Sequence, residues 1–117
     1  MSSATLNPQA IENLRAISPD DDGEFLRELV DIFLADTPQQ IADVEKALTT
    51  GNAPDLTRAA HSIKGSAANI GATQLGAAAA RLETESKATP LPGLTPLIDA
   101  VKAEYARVAA ELQKLTA

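Results

Sequence analysis

The chain has 117 residues, a formal net charge of −6, one histidine and no cysteine. That length makes one domain able to bury roughly two-thirds of its unfolded surface. The missing cysteine excludes disulfides, thiolate catalysis and cysteine-ligated zinc, and suits a reducing compartment. The acidic balance offers no basic stripe for nucleic acid or anionic membrane. No apolar run nears the roughly 18 residues of a membrane span, and the start Met1-Ser2-Ser3-Ala4-Thr5 has no export pattern, so a cytoplasmic protein is expected.

Phe25, Phe33 and Tyr105 are the only aromatic residues, so the core must be built from Leu, Ile, Val and Ala. Asn7-Pro8 reads as an N-cap and first helical position of a short helix burying Ile11 and Leu14. Ser18-Pro19-Asp20-Asp21-Asp22-Gly23 breaks it. The three aspartates lack the alternate ligands and closing glutamate of a calcium loop, which leaves helix capping as their role.

A second helix is predicted from about Asp22 to Asp36, with Phe25 or Leu26, Leu29, Ile32 and Phe33 at core spacing. At Thr37-Pro38-Gln39-Gln40 the pattern restarts like a capping box, so a kink or a new helix is expected there, with Ile41, Val44 and Leu48 inward and Gly51 as its end. Asn52-Ala53-Pro54-Asp55 opens a central helix that buries Leu56, Ala59/Ala60, Ile63, Ala67 and Ile70 and stops at Gly71. The next helix runs from Thr73 to about Lys87 with Leu75, Ala78, Ala79 and Leu82 inward, and the small side chains of Gly76 to Ala80 let it lie close to a neighbour. After the breaker-rich loop Thr89-Pro90-Leu91-Pro92-Gly93, a last helix from Thr95 or Pro96 to Leu115 presents Leu97/Ile98, Val101, Tyr105, Val108, Leu112 and Leu115.

No stretch alternates as a strand would. The expected fold is all-α: an antiparallel up-down-up-down four-helix bundle with an additional short N-terminal helix capping one end. Residues 1–117 form a single domain in this reading, with 1–6 a flexible N-terminus and a monomer as the expected state. The start at Met1 and the closing helix favour a free-standing protein over a piece of a hybrid kinase.

The central helix carries the only histidine. At about 100° per residue His61 points roughly 150° from the middle of the apolar stripe, and Gly65 follows one turn later on the same outward side. Lys64 lies three residues on, within reach of a group bound at the ring. A mid-helix glycine costs roughly 1 kcal/mol relative to alanine, which close approach of another surface would explain. Imidazole titrates near neutrality, and its neutral form is a nitrogen nucleophile able to accept a phosphoryl group. A neighbouring cation would offset the charge on the phosphoryl oxygens.

The run His61-Ser62-Ile63-Lys64-Gly65-Ser66-Ala67-Ala68-Asn69-Ile70-Gly71 resembles the signature of the histidine-containing phosphotransfer (HPt) domain family, His-x-(Leu/Ile)-Lys-Gly-Ser followed by small residues and a glycine. The resemblance implies a protein that takes a phosphoryl group from a receiver-domain aspartate in a two-component phosphorelay and passes it to the aspartate of another response-regulator receiver. By that likeness His61 is phosphorylated, Lys64 screens the phosphate, and Gly65 leaves room for the receiver's loops. Magnesium would come from the receiver, and a hybrid sensor histidine kinase would stand upstream.

No glycine-rich nucleotide loop is present, so the chain is expected to carry phosphate rather than draw it from ATP. Partner choice would rest on exposed residues around the histidine: Arg58, Ala68 and Asn69 on its own helix, and Asp36, Gln39 and Gln40 on the neighbouring one. The last three are also candidates to orient the second ring nitrogen. Ser66 reads as a helix-surface or backbone contact. Two other classes stay open: a helical module that binds a receiver or kinase without carrying phosphate, and a small hydrolase using His61 as general base. The hydrolase is the weaker, having no serine, cysteine or metal constellation beside the histidine.

Overall fold

The computed structural model describes residues 5–17, 20 and 22–116. Among these the regular structure is entirely helical: α1 (Pro8–Ile17), α2 (Glu24–Thr50), α3 (Ala53–Ile70), α4 (Thr73–Glu85) and α5 (Thr95–Thr116), with a 3-10 turn at Leu91–Leu94 before α5. Helix α3 packs between α2 and α4, α5 packs on α4 and α2, and α1 lies against the bundle. Short connections force successive helices to run antiparallel, which closes the four long ones into a bundle.

The helix ends follow local chemistry. Asn7 Oδ1 accepts the Gln9 N–H at 2.9 Å, and Asn52 Oδ1 accepts the Asp55 N–H at 3.0 Å, so both asparagines cap as expected. Gly51 and Gly71 end α2 and α3 with φ of 73° and 76°, a conformation open to glycine at little cost. Gly71 has a second constraint. A Cβ there would stand 2.6 Å from Ala10 Cβ. The Asn7 N–H also donates to Gly71 O at 2.8 Å, so α1 is seated on the corner between α3 and α4.

The core joins Leu26, Val30, Phe33, Ile41 and Val44 of α2 to Leu56, Ile63, Ala67 and Ile70 of α3, Leu75 and Leu82 of α4, and Ile98, Val101, Val108 and Leu112 of α5. Truncating any of the larger ones to alanine would cost about 2–5 kcal/mol. Small residues set the α3–α4 spacing: Ala60, Ala67 and Ala79 are fully buried, and an ideal Cβ on Gly76 would sit 3.7 Å from that of Ala67. Phe33 and half-buried Tyr105 meet with ring centroids 5.7 Å apart across α2 and α5, and burial raises the Tyr105 phenol above its ordinary range.

Several expectations change. α2 is one helix of 27 residues with Pro38 inside it, so of the kink or new helix expected there no new helix begins. Pro38 has no N–H for the carbonyl of Leu34, a loss of roughly 3 kcal/mol that the packed face on both sides outweighs. Thr37 is therefore not an N-cap: it is fully buried, and its Oγ1 has no hydrogen-bond partner.

Ile32, read as core, is 56% exposed, because the buried stripe passes through Val30 and Phe33 instead. Leu115 is exposed beside α1, at the rim of a depression it shares with Pro8, Ile11 and Arg15, and Leu14, Leu48 and Ala78 are only partly covered. The capping role given to the aspartates before α2 does not hold at the N-cap itself, which is Gly23, left-handed at φ 79°. Ser18, Pro19 and Asp21 of that segment lie outside the described residues, as do residues 1–4 of the N-terminal segment, whose Leu6 packs partly buried against the core.

Candidate functional site

His61 occupies the middle of α3, pointing away from the stripe made by Ala60, Ile63 and Ala67, and its side chain is 65% exposed. Its partner comes from α4. Nδ1 lies 3.0 Å from Oε2 of Glu83, whose side chain is largely covered at 16% exposure. The other carboxylate oxygen, Oε1, is buried, and Lys64 Nζ stands 3.0 Å from it. One carboxylate thus holds both residues that the sequence singled out for chemistry.

The Lys64 ammonium beside Glu83 holds its carboxyl below the usual range; burial opposes this, and the His61 ring adds to it. An ionised carboxylate accepts hydrogen bonds and cannot donate them, so it selects the imidazole tautomer with the proton on Nδ1. That leaves Nε2, on the exposed ring, with a free lone pair.

Asp36, Gln39 and Gln40, the candidates for orienting this ring, do other things. Gln40 Oε1 accepts a hydrogen bond from Ser66 Oγ at 3.1 Å, tying α2 to α3. Gln39 Nε2 donates to Asp43 Oδ1 one turn on, at 3.2 Å. Asp36 borders a shallow apolar depression between α2 and α3, formed with Leu29, Ile32, Phe33, Asn69 and Ile70. The ring therefore leans on α4 and not on α2.

The correct partner was within reach of hairpin geometry. Residues at similar distances from the turn at Gly71 meet across α3 and α4: Ala67 lies against Gly76, so His61, six residues before Ala67, lies level with the residues six to seven after Gly76, which are Leu82 and Glu83. Glu83 is next to inward-facing Leu82, which puts it on the shoulder of α4.

The rest of the outward face of α3 is open. No atom comes within 4 Å of an ideal Cβ on Gly65. Arg58 pairs with Asp55 at 2.7 Å in solvent, and Ala68 and Asn69 are exposed. Among the described residues no cluster of His, Asp or Glu is arranged to hold a metal ion, and no helix is long and apolar enough to cross a membrane.

Residues 28–111, which contain this whole arrangement, match the Hpt domain family. The chain belongs to that family. As an HPt domain it is a histidine phosphotransfer protein of phosphorelay signalling. Its fold is similar to that of histidine-containing phosphotransfer protein B (HptB) from Pseudomonas aeruginosa PAO1, with 27% identity, a TM-score of 0.86, and 97% of this chain and 95% of that one covered. The HPt domain of a sensor hybrid histidine kinase from Shewanella shares the fold at 19% identity, with a TM-score of 0.73 over 95% of this chain and 92% of that one. No curated protein matches the chain in sequence.

Proposed function

We propose that His61 is the phosphoryl-accepting residue, that Nε2 is the nucleophile, and that Glu83 and Lys64 serve it. The observation that carries this reading is the single Glu83 carboxylate, 3.0 Å from His61 Nδ1 and 3.0 Å from Lys64 Nζ.

The Nε2 lone pair attacks the phosphorus of an aspartyl phosphate. The N–P bond forms, the P–O bond to the aspartyl carboxylate breaks, and that carboxylate leaves with the electron pair. Positive charge then develops on the ring and is shared with Nδ1–H, where the Glu83 carboxylate stabilises it. The same charge keeps the phosphoryl group a good electrophile for the next aspartate, so the step runs in both directions. Lys64 is parked on Glu83 in the resting state. Three phosphoryl oxygens arriving three residues away on the same helix compete for its ammonium.

The partners in this reading are receiver domains of response regulators and of a hybrid sensor histidine kinase, acting in the cytoplasm, and the receiver brings its own magnesium. Open space over Gly65 gives such a partner access to the exposed face of α3, and the depression beside Ile32 offers an apolar foothold between α2 and α3, along Ser66 and Asn69.

The deciding experiment mixes the protein with a receiver phosphorylated on aspartate and follows the label. Acid-labile, base-stable label on wild type and none on folded His61→Gln supports the reading. Equal partner binding with no label on either would favour a module that binds without carrying phosphate.

A further inference from the structure

One turn from the His61–Glu83 contact, on both helices, lies a hydroxyl pair that the transfer chemistry does not use. Thr57 precedes His61 by four residues on α3, and Ser86 follows Glu83 by three at the C-cap of α4. Their oxygens are 2.6 Å apart, and Ser86 is 5% exposed. Ser86 Oγ is also 2.7 Å from the backbone oxygen of Glu83, and Thr57 Oγ1 is 3.0 Å from that of Ala53.

Two hydroxyl protons face three contacts, so the chain of hydrogen bonds must run one way. The carbonyl of Ala53 sits at the start of α3, where the N–H four residues on serves it. The carbonyl of Glu83 belongs to the last turn of α4, where carbonyls lose their helical donors, and the N–H of Lys87 turns to Thr84 O instead at 3.3 Å. The direction that satisfies more groups is Thr57 donating to Ser86 and Ser86 donating to Glu83 O.

Glu83 therefore stands in a terminal turn of the kind that frays first. Its carboxylate must nonetheless meet a ring on another helix within hydrogen-bond tolerance. We propose that Thr57 and Ser86 are positioning residues that clamp the last turn of α4 to α3 and so hold the Glu83 carboxylate in register with His61. This rests on the reading of His61 as the phosphoryl acceptor. The clamp touches neither the ring nor the phosphoryl group and acts only through Glu83.

The test compares Ser86→Ala, Thr57→Val, the double variant and Thr57→Ser by two readouts. The first is the fraction of His61 with its proton on Nδ1, read from the imidazole 15N signals. The second is the rate of label uptake from a phosphorylated receiver. Wild type and Thr57→Ser, which keeps the hydroxyl, should show chiefly the Nδ1–H tautomer. Ser86→Ala and Thr57→Val should move the folded protein to a mixture of tautomers and slow uptake on the order of tenfold. The double variant should be no worse than either single change, because both break one link. A merely structural hydroxyl pair would lower the melting temperature and leave the tautomer of the folded protein alone, and that result overturns the proposal. If Ser86→Ala does not fold, Thr57→Val decides by itself. A wild type that takes no label removes the transfer reading, while the tautomer comparison still decides whether the clamp positions Glu83.

Discussion

Glu83 reaches His61 from the neighbouring helix, 22 residues further along the chain, and meets Nδ1 at 3.0 Å. Removing the carboxylate should therefore release the Nδ1–H tautomer and take away the charge that stabilises the phosphorylated ring, while leaving the imidazole itself in place. Glu83→Ala is expected to slow label uptake about tenfold, and Glu83→Gln, which keeps an acceptor but not the charge, to fall between it and wild type. Initial rates at saturating phosphorylated receiver check this.

The same group fixes a pH dependence. Its folded pKa is depressed, chiefly by Lys64, so its contribution to stability is fully present above the unfolded carboxylate value of about 4.3. That contribution fades as pH falls through the lower folded value. Thermal unfolding should show wild type ahead of Glu83→Gln at pH 6, with the gap closing on acidification below about pH 4.

Gly65 has no reason to be glycine within this protein, since nothing stands within 4 Å of the Cβ that alanine would add. Gly65→Ala should raise stability by about 1 kcal/mol in urea denaturation. Gly65→Gln should fold equally well and lose transfer through steric exclusion of the receiver. A Gly65→Gln protein that relays at the wild-type rate would remove the steric argument.

Ile32 is 56% exposed beside the α2–α3 depression. Ile32→Ser should leave the unfolding midpoint within about 0.5 kcal/mol of wild type, because little packing is lost. Receiver affinity, measured by titration, should drop by about tenfold.

Thr37 holds a buried hydroxyl without a partner. Thr37→Val keeps the shape and removes the unmet group, so stability should rise by about 1 kcal/mol. A loss of stability in the same denaturation series would mean that the hydroxyl is satisfied in solution.

The helices that could be read from the sequence are those whose ends are written locally. Asn52 and Gly71 bracket α3 through side-chain capping and a left-handed glycine, and both act within a turn of themselves. α2 was harder, because Thr37-Pro38-Gln39-Gln40 is locally a helix start and only the shared core on both sides of Pro38 overrides it. Ile32 was misplaced for a similar reason: a helix with Leu29, Val30, Ile32 and Phe33 side by side offers two apolar stripes, and the choice between them is made by the neighbours. The candidate site divides the same way. His61, Lys64 and Gly65 are adjacent in sequence and carried their own signal. Glu83 is one acidic residue among many on exposed helix faces until the α3–α4 hairpin sets its register.

A histidine standing on a convex helix face has a kinetic consequence. There is one Nε2 and one ridge around it, so a donor and an acceptor cannot occupy the domain together. With His61 as the proposed phosphoryl acceptor, delivery and collection are then separate visits, in a ping-pong order, with the phosphorylated domain free in between. Throughput would be set by how quickly each visitor departs, and receivers present together would compete for the charged domain in proportion to their abundance and residence time.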